Sequence, residues 1–213
     1  MAIYDGAKLS AGRTGEDALL VRFLGIPDPA FRGGTRAAVG DVTGDGVPDL
    51  VVAAGVGGGP RVTVWDGAGI AAGTPRTVAD FFAFEDTVRT GATVAVGDVD
   101  GDGVADLLFG AGPGGGPRVR EYSGAALFAG GANFGNLDGA PAGSQRRDEF
   151  VGDPAGRGGV PVRFVPAPPA EALPPAAPPE ITGFAPGGPE VATQSAPAPA
   201  GPLDALLDAP LML

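Results

Sequence analysis

The sequence predicts an all-β protein assembled from repeats of four short strands. Two observations carry this reading. The stretch "VGDVTGDGVPDLVVAAGVGGGPRV" (Val39 to Val62) returns as "VGDVDGDGVADLLFGAGPGGGPRV" (Val96 to Val119). At the same offset, residues 38–68 match residues 95–125 at about two thirds of positions, and self-similarity at a fixed period of this order marks a solenoid, propeller or array. The second observation is compositional. Thirty-nine glycines and 23 prolines in 213 residues favour many tight turns and disfavour long helices.

Within the first repeat, Arg36–Gly40 is the lead-in strand to an acidic loop. Asp49–Ala54 ("DLVVAA") is apolar without alternation, as suits a strand covered on both faces. Arg61–Trp65 alternates and ends at the turn signal Asp66–Gly67, and Val78–Phe84 is the fourth strand. The second repeat runs through Thr93–Gly97, Asp106–Gly110 and Arg118–Tyr122, then enters a longer connector. "IYDGA" (Ile3–Ala7) resembles "VWDGA" (Val64–Ala68), so the chain opens on the last part of an earlier repeat. "EFVGDPAGRGGVPVRF" (Glu149–Phe164) reads as the lead-in to a third repeat whose acidic loop never follows.

The resulting organisation is a remainder of a preceding blade over 1–30, repeats over 31–88 and 89–148, a degenerate third start over 149–164, and a Pro/Ala-rich tail over 165–213. Prolines make up about one third of the tail to residue 200. That density excludes regular ladders, so the tail is expected to be disordered.

Composition narrows the function. The net charge is −11, which disfavours nucleic acid and anionic membranes as partners and suits a cation ligand. There is no Cys and no His, so disulfides, thiolate chemistry, imidazole proton transfer and His/Cys metal sites are excluded. No apolar run reaches the ~18–20 residues that span a bilayer. The N-terminus lacks a basic segment followed by an apolar one, so no signal peptide is visible.

The acidic loops are the chemical feature. Counting from Asp98, oxygen donors fall at Asp100, Asp102 and Asp106, with Gly103 at position 6; the first loop offers Asp41, Thr43, Asp45 and Asp49, with Gly46. Alternating oxygens bent around a glycine are how a short loop wraps Ca²⁺, which takes 6–8 oxygens. The carbonyls of Val47 and Val104, at position 7, are the expected neutral ligands. An EF-hand requires an acid at position 12, where this chain has Val52 and Phe109. Four carboxylates against three rank the second site as the tighter.

The spacing D-x-D-x-D-G-x-x-D between strands, followed by "FGAGPGGGP" (Phe109–Pro117), resembles the FG-GAP repeat, the blade unit of integrin α-subunit-like β-propellers, and the related VCBS repeats. The resemblance implies four-stranded blades with Ca²⁺ in the loop between a blade's first two strands. It also implies an extracellular or cell-surface setting and a non-catalytic role in adhesion, display or binding. Two complete blades are fewer than the four to eight of a closed propeller, so an incomplete propeller, a fragment of a larger one, is expected. Its open blade faces then suit self-association. The partner implied is a protein or glycan ligand. The alternative is an accessory propeller of an extracellular hydrolase, whose carboxylate pair would come from acids outside the loops such as Asp28, Asp80, Glu85 or Asp86. The glycine-rich elbows Gly55–Arg61 and Gly112–Arg118 open a strand instead of a helix, against a phosphate-loop reading.

Overall fold

The computed structural model describes residues 1–129, 140–151 and 155–166, and its compact unit spans Met1–Phe164. The expectation of a disordered tail falls almost wholly outside the described residues. The unit is predominantly β. Strands β1 (Ala2–Tyr4) and β2 (Leu19–Arg22) form an antiparallel pair, β3 (Thr35–Gly40), β4 (Asp49–Ala54), β5 (Arg61–Trp65) and β6 (Thr77–Phe82) form one four-stranded sheet, and β7 (Ala92–Gly97), β8 (Asp106–Ala111), β9 (Arg118–Tyr122) and β10 (Gln145–Phe150) form another. In both large sheets the spatial order follows the chain, and every pairing is antiparallel.

The unbroken apolar run of β4 is explained by its two neighbours. Residues i and i+2 of a strand share a face. Val51 and Ala53 join Val62, Val64, Phe81, Leu107, Phe109 and Tyr122 in a core between the two large sheets. Leu50, Val52 and Ala54 join Ile26, Trp65 and Ile70 in a second core, against which Ile3, Leu20 and Phe23 of the β1–β2 region pack. The Trp65 indole lies 4.5 Å from the Phe23 ring, and its Nε1 donates to the Gly25 carbonyl at 2.8 Å. A strand covered on both sides has no solvent face to make polar.

Each third strand ends in a short helix that the turn signal did not reveal: α1 (Gly6–Ser10) after β1, α2 (Gly67–Ala71) after β5 and α3 (Gly124–Phe128) after β9. Their N-caps are Asp5, Asp66 and Ser123, whose side chains accept from amides of the first turn. The order β1–α1–β2 therefore repeats β5–α2–β6, as the "YDGA" and "WDGA" similarity suggests.

The fourth strand of the second sheet, β10, begins in the expected connector and ends two residues into the stretch expected to open a third repeat. Its pairing nonetheless copies β6. Gln145 faces Tyr122 where Thr77 faces Trp65, and both pairs are followed by a one-residue register shift. Arg61 grips Asp80 with two hydrogen bonds, at 2.8 and 2.6 Å, and Arg118 grips Asp148 likewise, at 2.7 Å each. The signal that would have located β10 is this Arg-to-Asp pair, stretched from a separation of 19 residues to one of 30.

Beyond β10, residues 157–164 run along β7 and β8 much as 89–96 run along β3 and β4. The Val160 amide donates to the Ala111 carbonyl, and Thr93 Oγ1 donates to the Val160 carbonyl. Phe164 covers Gly97 where Val96 covers Gly40. The glycine elbows seal these crossings: Gly57 donates to the Arg89 carbonyl and Gly114 to that of Arg157.

Phe109 is fully buried, 6.0 Å from Phe81 in an edge-to-face arrangement that joins the two sheets. Phe109→Ala should lower the unfolding free energy by about 3–5 kcal/mol. Phe150→Ala, at a ring that is 51% exposed, should cost under about 1 kcal/mol. Urea denaturation of the two variants checks the contrast, and equal losses would contradict the placement of the core.

Candidate functional site: two aspartate loops

Each loop bridges the first two strands of a four-stranded sheet, β3–β4 and β7–β8. Its shape follows from short side chains that accept hydrogen bonds from nearby amides. At position 1, Asp41 accepts from Gly44 (2.7 Å), Asp45 (3.1 Å) and Gly46 (2.7 Å), and Asp98 accepts from Gly101 (2.7 Å) and Gly103 (3.0 Å). At position 5, Asp45 and Asp102 each accept at 2.8 Å from the amide two residues on, Val47 and Val104. Position 6 has φ of +84° at Gly46 and +89° at Gly103, which a side chain would disfavour.

Position 9 anchors the loop. Asp49 is wholly buried and accepts from the amides of Val42 and Thr43, from Thr43 Oγ1 and, through its other oxygen, from the Gly67 amide at the start of α2. Asp106, 2% exposed, accepts from Val99 at 2.9 Å and from Gly124 at the start of α3 at 3.1 Å. The chain comes so close here that a Cβ on Gly67 would lie 2.1 Å from the Pro48 carbonyl oxygen, and one on Gly124 2.0 Å from that of Ala105. The glycine after each third strand is thus a requirement of the loop. Burial pushes the Asp106 carboxyl above the usual carboxylate range, against the pull of the Val99 and Gly124 amides.

The loops differ in how far their acids converge. Asp98, Asp100 and Asp106 each present an oxygen, and these three lie within 4.8 Å of one another. Among the described residues this is the one such group of three. Asp102 stays outside it. Asp41, Asp45 and Asp49 are not gathered to this degree, and Thr43 Oγ1 turns its proton to Asp49. Val47 and Val104, whose carbonyls are the expected neutral ligands, donate their amides to Asp45 and Asp102.

The two loops touch. The Asp41 carbonyl accepts from Ala105 at 2.7 Å, and a Cβ on Gly44 would lie 3.2 Å from Val104 Cγ2.

Two charged residues beside the second loop escaped the sequence reading. Arg146, on β10, donates to Asp100 and holds that carboxyl below its ordinary range. Glu121, on β9, is 3% exposed, and burial pushes its carboxyl up despite Arg147 at 3.6 Å. Their positions correspond to Val78 and Val64 of the first sheet: Glu121 falls within the repeated stretch, where it replaces a valine, whereas Arg146 is placed by the pairing of β10 with β9.

Two oxygens that share one Ca²⁺ at roughly 2.3–2.6 Å are at most about 5 Å apart, so the spacing of Asp98, Asp100 and Asp106 fits that ion. Carboxylate oxygens have further lone pairs beyond those engaged by the amides. The chemistry on offer is binding of a hard cation.

Residues 41–109 match the family described as FG-GAP-like repeat, from the first aspartate of the first loop to the strand after the second. No curated protein and no solved structure matches the chain. No helix among the described residues is long and apolar enough to cross a membrane.

Asp106→Ala leaves the Val99 and Gly124 amides without their acceptor. In EDTA it should lower stability by about 2–4 kcal/mol, whereas Asp102→Ala, at an exposed position, should cost under about 1 kcal/mol. Urea unfolding in EDTA measures both, and a neutral Asp106→Ala would remove the anchoring role.

Proposed function

We propose that this chain, whose residues 41–109 belong to the FG-GAP-like repeat family, is a non-catalytic calcium-binding repeat module for adhesion, display or binding outside the cell. The observation that carries the reading is the convergence of Asp98, Asp100 and Asp106 within a loop of alternating oxygen donors. Asp102 and the Val104 carbonyl would complete the second site. Asp41, Thr43, Asp45, Asp49 and the Val47 carbonyl would form the first. Calcium would supply the positive charge that lets these acids lie together, and at millimolar extracellular levels even a weak site is filled. Its role is architectural: each ion would brace the loop between the first two strands of a sheet.

Two of the four acids that the hydrolase alternative would draw on, Asp80 and Glu85, are paired with arginines. Asp80 is held by Arg61, and Glu85 accepts from Arg118 and Arg120. Asp28 accepts from the Ala30 amide and stands as a lone acid in a shallow cleft with Met1, Leu24, Ile26, Phe31 and Arg32. A glycosidase needs two carboxyls facing one bond. The macromolecular partner, a protein or glycan, and self-association through blade faces belong to the same proposal.

Calorimetric titration of calcium, with thermal melts in EDTA and in calcium, tests the reading. Two binding events and a higher melting temperature in calcium are expected. Absence of both binding heat and melting shift would overturn it.

A further inference from the structure

Arg146 is the feature of the second loop that calcium binding alone does not account for. Its guanidinium donates to Asp100 Oδ2, one of the three converging acids, and it also lies in the field of Asp106 and Glu121. Glu121 already has Arg147 beside it. At the first loop, no basic side chain pairs with Asp41, Asp45 or Asp49 among the described residues. The strand pairing puts Val78 where the second sheet has Arg146, since Thr77 faces Trp65 as Gln145 faces Tyr122 and both pairs precede the register shift.

Building on the calcium reading, we propose that Arg146 is a tethered cation that competes with calcium for the second loop. Three carboxylates brought within 4.8 Å repel one another unless a positive charge is near. A guanidinium, charged at every physiological pH, meets that need from within the chain. When a divalent ion takes the Asp100 oxygen, Arg146 loses its partner and finds itself beside two positive charges. The empty loop is stabilised and the filled loop is penalised. Charge counting ranks the second loop as the tighter; the tethered cation takes that advantage away, and it sets the calcium level at which the Arg146 side chain leaves the loop.

The test uses the full chain labelled with ¹⁵N and titrated with calcium. The Gly44 and Gly46 amides report the first loop, and Gly101 and Gly103 the second. Arg146→Gln should lower the dissociation constant of the second loop about tenfold or more and leave the first within about twofold. Arg146→Lys, which keeps the charge, should retain weak binding. In EDTA, Arg146→Gln should melt below the wild type; in saturating calcium the deficit should vanish or reverse. If both loops bind calcium and Arg146→Gln leaves the second unchanged or weaker, or lowers the melting temperature equally with and without calcium, Arg146 is merely structural and the proposal fails. If no loop amide responds to calcium in the wild type or in either variant, the calcium reading itself falls, and the competition with it.

Discussion

An aspartate at the start of a buried strand is tolerated only if its carboxylate is hydrogen-bonded, and in this fold that need is turned into architecture. Asp49 and Asp106 each reach back to the amides at positions 2 and 3 of their own loop, or to the first of these, and forward to the first amide of the helix that follows the third strand. One side chain thereby fixes the loop, the second strand and the entry of the helix. The glycine at 67 or 124, the capping residue before it and the close approach to the Pro48 or Ala105 carbonyl all follow from that bond. The loop holds its shape by its own hydrogen bonds, so that a cation bound as proposed would meet a cradle already formed.

The second sheet shows what happens when the repeat pattern is kept but its packing is changed. Where the first sheet has Thr63, Val64, Val78 and Ala79, the second has Arg120, Glu121, Arg146 and Arg147. These charges are paired. Arg120 is 3% exposed, donates to the Ala83 carbonyl, reaches Glu85 and Asp148, and stands 5.4 Å over the Phe84 ring. Arg118 adds bonds to the same two acids; burial pushes both carboxyls up, but the arginine contacts, joined at Glu85 by a hydrogen bond from its own backbone amide, outweigh it and leave both below their ordinary range. Glu85 precedes β7 and Asp148 lies on β10, so the network ties the link between the sheets to the outer strand of the second one. Buried pairs of this kind are a weak source of net stability but costly to break singly.

The parts of this fold legible in the sequence are those that depend on local rules. The bounds of β4, β5 and β9 follow from apolar runs closed by glycine or aspartate, and the loop positions follow from the spacing of acids around Gly46 and Gly103. What escaped depends on contacts between distant residues. Strand β10 reads "QRRDEF", polar at almost every position, and becomes a strand because β9 offers Arg118, Arg120 and Glu121 as partners. The short helices were hidden because an Asp-Gly pair signals a hairpin turn as readily as an N-cap. Arg146 could not be assigned to the second loop without the register that places it there.

The most direct measurement is hydrogen exchange at the Gly67 and Gly124 amides in EDTA. If the position-9 aspartates hold the loops without a cation, both amides exchange slowly, at rates comparable to those of the central strands. Exchange at free-peptide rates in EDTA, with protection appearing only when calcium is added, would contradict the account.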